Sequence, residues 1–218
     1  MTLSAFFSTL EVTRACAHRP GKLLLRRAFA LIPLSMGLAL ATLSPPAFAA
    51  WDLGQLMETL AQTQSSRASF VEKKSIALLD KPVESSGELL YTAPDRLEKR
   101  TFKPKPESMV VKGDELLIER GRQKHRLQLQ AYPELAAFID SIRGTLAGDR
   151  AALERNYRLS LEGSAERWTL QLLPLDEKMQ AVIQQIRIAG VRDQVRSIEI
   201  NQADGDRSVM AIQNLAAQ

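Results

Sequence analysis

From Arg67 onward the chain repeats one device: a short run of alternating apolar and polar residues, closed by a turn signal, every ten or so positions. Period-two alternation sends successive side chains to opposite faces of a strand. Runs this close leave no room for a helix between them, so the pattern demands an antiparallel meander. The expected strands are Phe70 to Leu79, Val83 to Tyr91, Arg96 to Phe102, Glu107 to Lys112, Glu115 to Glu119 and His125 to Ala131. Asp80-Lys81-Pro82, Ala93-Pro94-Asp95, Lys103-Pro104-Lys105-Pro106 and Gly113-Asp114 separate them. The pattern resumes at Tyr157 to Leu161, Arg167 to Leu173, Ile183 to Ile188, Gln194 to Ile200 and Arg207 to Ile212, with Asp204-Gly205 as a hairpin turn between the last two.

Two segments break the alternation at helical spacing. Leu53, Leu56, Met57 and Leu60 predict a helix within Trp51 to Gln64, with Asp52 as N-cap and Gln55 three residues on. Pro133 opens a second helix, striped by Leu135, Phe138, Ile139, Ile142 and Leu146 and stopped by Gly148. A short helix, Asp149 to Asn156, follows. The strands carry too much charge to be buried on both faces. The periodicity therefore permits an α+β fold in which the helices cover the concave side of a curved sheet, with an apolar cavity wherever closure is incomplete.

Residues 1–49 are expected to be an export signal. Arg14, Arg19, Lys22, Arg26 and Arg27 make the front basic, Ala28 to Leu43 is apolar, and Ala47-Phe48-Ala49 invites cleavage before Ala50. That segment holds five of the 29 Lys and Arg and one of the 25 Asp and Glu, leaving 24 of each in residues 50–218. A net charge of zero gives no global positive field, so nucleic acid is not an expected partner. Cys16, the only cysteine, precedes the cleavage site, so the exported chain has no thiol for a disulfide or metal. It also has no apolar run near the ~20 residues that span a bilayer. The expected product is a single soluble periplasmic domain.

Candidate chemistry is sparse. His125 is the only histidine after residue 49, and it alternates with Lys124 and Arg126 on a strand, which predicts a solvent-facing side chain. Ser108 or Ser160 with His125 makes a poor nucleophile and base set, and there is no G-x-S-x-G elbow. No paired histidines suit zinc, and no Gly-rich loop with a lysine suits phosphate. Asp204, Gly205 and Asp206 supply too few oxygens for calcium. Glu115, Glu119 and Glu134 read as solvated charges. The chain is therefore expected to be no enzyme and to need no metal or cofactor. Lys99, Arg100, Lys103 and Lys105 form a basic cluster, expected to be an edge protected from aggregation, with an acidic partner surface or lipid headgroups as the alternative reading.

A set of motifs points further. They are Gly87-Glu88-Leu89-Leu90-Tyr91-Thr92-Ala93-Pro94 with Asp95-Arg96-Leu97, and Glu107-Ser108-Met109-Val110-Val111 before Gly113, with Leu116 in the next strand. Later come Leu173-Pro174, Ile183-x-x-Ile186-x-Ile188 and Asp204-Gly205. In order and spacing they resemble the periplasmic lipoprotein carriers of the LolA type, over about Leu53 to Leu215. The resemblance implies an incomplete β-barrel of about eleven strands capped by two or three helices. It also implies a cavity that shields acyl chains of lipoproteins or glycolipids, an inner-membrane export complex as donor, an outer-membrane acceptor, and a monomer. Leu56, Leu60, Phe70, Leu89, Tyr91, Leu97, Met109, Val111, Phe138 and Ile142 are the residues expected around that cavity. Two positions depart from the pattern: the lid-latching arginine of the best-known carriers is Ala93, and an aromatic is Lys99. A lipid or lipoprotein sensor on the same fold is the alternative expectation.

Overall fold

The computed structural model describes residues 51–215. The expected export segment, residues 1–49, lies outside the described residues. Eleven strands form one antiparallel sheet: β1 (Ser65–Ser75), β2 (Val83–Thr92), β3 (Arg96–Lys103), β4 (Glu107–Lys112), β5 (Glu115–Arg120), β6 (Gln123–Gln128), β7 (Tyr157–Ser164), β8 (Arg167–Pro174), β9 (Ile183–Val191), β10 (Gln194–Gln202) and β11 (Arg207–Asn214). Their order is β6-β5-β4-β3-β2-β1-β11-β10-β9-β8-β7. The first and last strands meet in the middle, with Phe70 opposite Ile212. Strands β6 and β7 are free margins, so the sheet is not closed.

The chain crosses from one margin to the other through a 3₁₀ turn (Leu129–Ala131), helix α2 (Pro133–Ala147) and helix α3 (Arg150–Asn156). Helix α1 (Leu53–Ala61) precedes β1, and a one-turn helix α4 (Glu177–Gln180) joins β8 to β9. Helix α1 begins as expected. The Asp52 carboxylate accepts from the Gln55 N–H at 2.9 Å, and the Gln55 side chain accepts from the Asp52 N–H at 3.2 Å. This reciprocal cap satisfies two otherwise orphaned donors. Gly148 ends α2 with φ +65°, and a Cβ there would lie 2.1 Å from the Met57 carbonyl oxygen. Only glycine lets the ends of α1 and α2 approach this closely.

Two apolar cores result. One packs α1, α2 and α3 on β7–β10 around Leu56, Leu60, Trp168, Leu170, Leu172, Ile186 and Ile188, all at most 1% exposed. The other packs α2 and the 3₁₀ turn on β4 and β5 around Val111, Leu116, Leu129 and Ile139. Phe138 touches both. Helix α2 thus bridges the two halves of the sheet.

Several boundaries differ from expectation. The first strand starts at Ser65 and stops at Ser75 rather than running to Leu79. Ile76 to Leu79 turn instead, closed by a Leu79 N–H bond to the Ile76 carbonyl at 2.8 Å. Their apolar character mimicked strand burial, yet Leu78 is 94% exposed. The sixth strand ends at Gln128, because Leu129 dives into the second core to lead the chain onto α2.

Candidate functional site

Residues directly opposite each other in adjacent antiparallel strands share a face. Following the register from Phe70 traces the concave face across the sheet: Ala68, Phe70 and Glu72 on β1, Gly87, Leu89 and Tyr91 on β2, Leu97 and Lys99 on β3, and Met109 and Val111 on β4. In the other direction it continues through Met210 and Ile212, Ile198 and Ile200, then Ile186 and Ile188, and then Leu170 and Leu172.

Burial divides this face. Beneath α1 and α3 it is sealed: Trp168, Leu170, Leu172, Ile186 and Ile188 have essentially no exposure. From β10 across to β5 it is apolar but only half-buried at Leu89, Leu97, Met109, Ile118, Ile198, Met210 and Ile212. Phe138 and Ile142 of α2 are half-buried as well. Inward-facing apolar residues with residual exposure mark a floor that the helices do not fill.

The ten expected cavity residues divide along the same line. Leu56 and Leu60 are locked in the first core, and Val111 lies in the second. Phe70 and Tyr91 are buried on the concave face. Leu89, Leu97, Met109, Phe138 and Ile142 lie on the half-open part. Tyr91 also lines a recess of about 270 Å³ together with Ala61, Gln64, Ala93, Pro94 and Ala147, where the ends of α1 and α2 meet the β2–β3 turn. Its hydroxyl is buried without a hydrogen-bond partner. Burial, with the Asp95 charge nearby, pushes that phenol upward.

Two features escaped the sequence reading. The first is a polar cluster set in the apolar floor. The Lys99 ammonium donates to Glu72 at 2.6 Å and stands 4.9 Å from the Phe70 ring centroid. Ser208 and Ser85 donate to the same carboxylate at 2.7 and 3.3 Å. Lys99 is therefore no edge lysine. Strand β3 lies inside the sheet, and the basic cluster splits across its faces. Arg100 turns outward and, with Arg96, donates to the buried Glu98, at 2.5 and 3.0 Å. The alternation that turns Leu97 inward also turns Lys99 inward. What the run does not contain is its partner, Glu72, 27 residues away.

The second is a tie between lid and rim. The Arg143 guanidinium on α2 donates to the Gly113 carbonyl in the β4–β5 turn at 2.7 Å and also binds Asp140. The Gly113 N–H in turn donates to Asp95 of the β2–β3 turn at 3.0 Å. Position 93 offers only a methyl group, so the helix itself supplies the arginine that holds it.

The Glu72 cluster carries a pH dependence. Burial pushes its carboxyl up, but the Lys99 charge and the hydrogen bonds from Lys99, Ser208 and Ser85 outweigh burial and hold it below 4.5. A carboxylate with a lowered folded pKa stabilises above its unfolded value, and that contribution is lost as pH falls through the folded one. Stability is thus expected to fall as pH drops below the ordinary carboxylate range and through the lowered folded value. The fall should be shallower in Glu72→Gln. Parallel urea midpoints across that range would show the cluster to be inert.

Neither Ser108 nor Ser160 forms a catalytic set with His125 on the concave face. Ser108 is opposite Arg100 and Ser160 is opposite Gln171, on the convex face, and His125 is exposed on the margin strand β6. Among the described residues no group of three His, Cys, Asp or Glu could hold a metal ion, and no helix is long and apolar enough to cross a membrane.

A family model described as outer membrane lipoprotein carrier protein LolA-like matches residues 45–217. No curated protein matches the sequence. Among solved structures, the chain is similar to a LolA superfamily protein from Nitrosomonas europaea, at 13% identity and TM-score 0.43, covering 76% of this chain and 93% of that one. It is similar to the MucA/MucB complex of Pseudomonas aeruginosa at 16% identity and TM-score 0.44, covering 76% and 58%. It is also similar to the lipoprotein LppX of Mycobacterium tuberculosis at 7% identity and TM-score 0.40, covering 76% and 97%.

Proposed function

The chain belongs to the outer membrane lipoprotein carrier LolA-like family, and on that premise we propose that it is a periplasmic carrier which shields acyl chains on the half-open concave floor beneath α2. The supporting observation is that floor: a row of inward-facing apolar residues, from Ile212 through Leu89 to Met109, left half-buried where the opposite end of the same face is sealed. Water on such a surface is costly, and so is an acyl chain in water, at about 0.8 kcal/mol per CH₂. Each covers the other.

Release follows from the same geometry. Helix α2 is held on one side by core packing and on the other by Arg143. Loosening Arg143 lets the helix settle onto the floor as cargo leaves, so part of the lost burial is recovered. Leu89, Leu97, Met109, Phe138 and Ile142 make the first contacts with cargo, with Phe70, Tyr91 and Val111 behind them. Contact with Leu56 and Leu60 requires α1 to shift. Residues 1–49 act as the cleaved export signal of a single carrier domain, 50–218. An inner-membrane export complex supplies the cargo, and an outer-membrane acceptor receives it.

The protein purified from periplasm is expected to carry acyl cargo, seen as a co-purifying mass by native mass spectrometry and identified after solvent extraction. Leu89→Phe, which fills the floor at a half-buried position, should abolish it with the fold intact by circular dichroism. Purified protein free of acyl cargo, or undiminished cargo in the variant, would refute the placement.

A further inference from the structure

Strands β1, β3 and β5 run in one direction, so the β1–β2, β3–β4 and β5–β6 turns all lie on one rim of the sheet. Adjacent strands are ~4.8 Å apart, which spaces these tips by roughly 10 Å. The β1–β2 tip presents Leu78 at 94% exposure and Leu79 at 52%, and β3 ends beside it in Phe102 at 53%. One exposed leucine is ordinary, but three large apolar side chains on neighbouring tips are a patch that calls for a partner.

The tip is built rather than slack. The Ala77 N–H donates to Asp206 of the β10–β11 turn at 3.0 Å, and Lys74 pairs with that carboxylate at 3.4 Å. The turn Asp204-Gly205-Asp206 therefore does more than reverse the chain: it props the apolar tip outward.

The charge around the patch selects the partner. The β1–β2 turn, the Lys103–Pro106 end of β3 and the β5–β6 turn hold Lys81, Lys103, Lys105 and Arg122 against Asp80, and the adjoining β10–β11 turn adds Asp204 and Asp206, the latter paired with Lys74. All four cations are exposed, and none joins an ion pair among the described residues. Residues 50–218 as a whole balance to zero, so this local excess is not a reflection of bulk composition. Apolar side chains that protrude through a spread of lysine and arginine match a planar anionic lipid surface, where tails accept the leucines and headgroups meet the cations.

We propose that this rim docks on anionic phospholipid bilayers, with Leu78 and Leu79 inserted. The proposal concerns the rim alone and does not depend on what the concave floor carries.

The test is co-sedimentation of protein purified from periplasm, with its mass checked so that residues 1–49 are absent. The vesicles are phosphatidylethanolamine with phosphatidylglycerol, against pure phosphatidylcholine. Partitioning should be at least about tenfold stronger on the anionic vesicles and should weaken sharply at about 0.5 M salt. Leu78→Asp should lower it at least about tenfold, since a charge replaces the inserted leucine. A variant with Lys81, Lys103, Lys105 and Arg122 all changed to Gln should lose the preference for anionic vesicles. Acyl cargo should be unchanged in both variants, which separates docking from carriage. Equal sedimentation with both vesicles, or wild-type binding by Leu78→Asp, would overturn the proposal, including in favour of a protein partner for the patch.

Discussion

Trp168→Ala is expected to remove about 3–5 kcal/mol of folding stability, read as a lowered urea midpoint. Trp168 is the largest fully buried side chain of the first core. Its ring covers Gly190 directly across the β8–β9 ladder, where an added Cβ would lie 2.2 Å from the indole. Its N–H donates to the Arg192 carbonyl at 2.8 Å. Arg192 sits at φ +54°, a backbone conformation that a non-glycine residue rarely adopts. The one side chain therefore fills the core and pins the β9–β10 turn. Alanine leaves a cavity and an unpaired carbonyl together. Trp168→Phe retains most of the packing and should lose only the bond, about 1–3 kcal/mol. A loss below about 1 kcal/mol for the alanine variant would mean that the core collapses around the gap.

Lys99→Ala is expected to cost about 1–3 kcal/mol, because Glu72 then faces the apolar floor without its cation. Removing both charges should behave differently. In Glu72→Gln/Lys99→Met, Ser85 and Ser208 keep a hydrogen-bonding partner and the methionine extends the apolar surface. Replacing such a pair as a unit is often neutral or stabilising. The double variant should therefore unfold at or above the wild-type midpoint, and native mass spectrometry should show longer or more abundant acyl cargo. If it is as unstable as Lys99→Ala, the pair contributes net stability. If its cargo is unchanged, Lys99 does not limit the floor.

The elements legible in the sequence are those specified locally. The Asp52 and Gln55 cap, the α2 stripe from Leu135 to Leu146, the Gly148 stop and the turns at Gly113-Asp114 and Asp204-Gly205 each rest on neighbours within a few residues, and each is where the pattern put it. The eleven short strands were also readable from their alternation, the incomplete barrel only from the family resemblance, and the β1–β11 pairing that joins the two halves was not readable at all. The same holds for whatever else depends on distant pairing. Ile76 to Leu79 has strand composition but no partner long enough to extend against, so it turns. Lys99 alternates inward with Leu97, but nothing local names its partner Glu72, which lies two strands away on β1. Helix α4 is a single turn, too short for periodicity to register. Of the ten expected floor residues, Phe138 and Ile142 are half-buried on α2. Leu89, Leu97 and Met109 are half-buried on the concave face, because alternation predicts which face a side chain takes. It does not tell how tightly that face is covered, which depends on where α2 lies above it.

A closed barrel has a circumference set by its strands, and its interior can change only by breaking hydrogen bonds. This sheet has two loose margins strapped together by the segment from Leu129 to Asn156, whose middle is α2. Parting the margins costs no ladder bonds, but it must drag that strap. The width between the margins and the position of α2 above the sheet are therefore tied through one covalent segment.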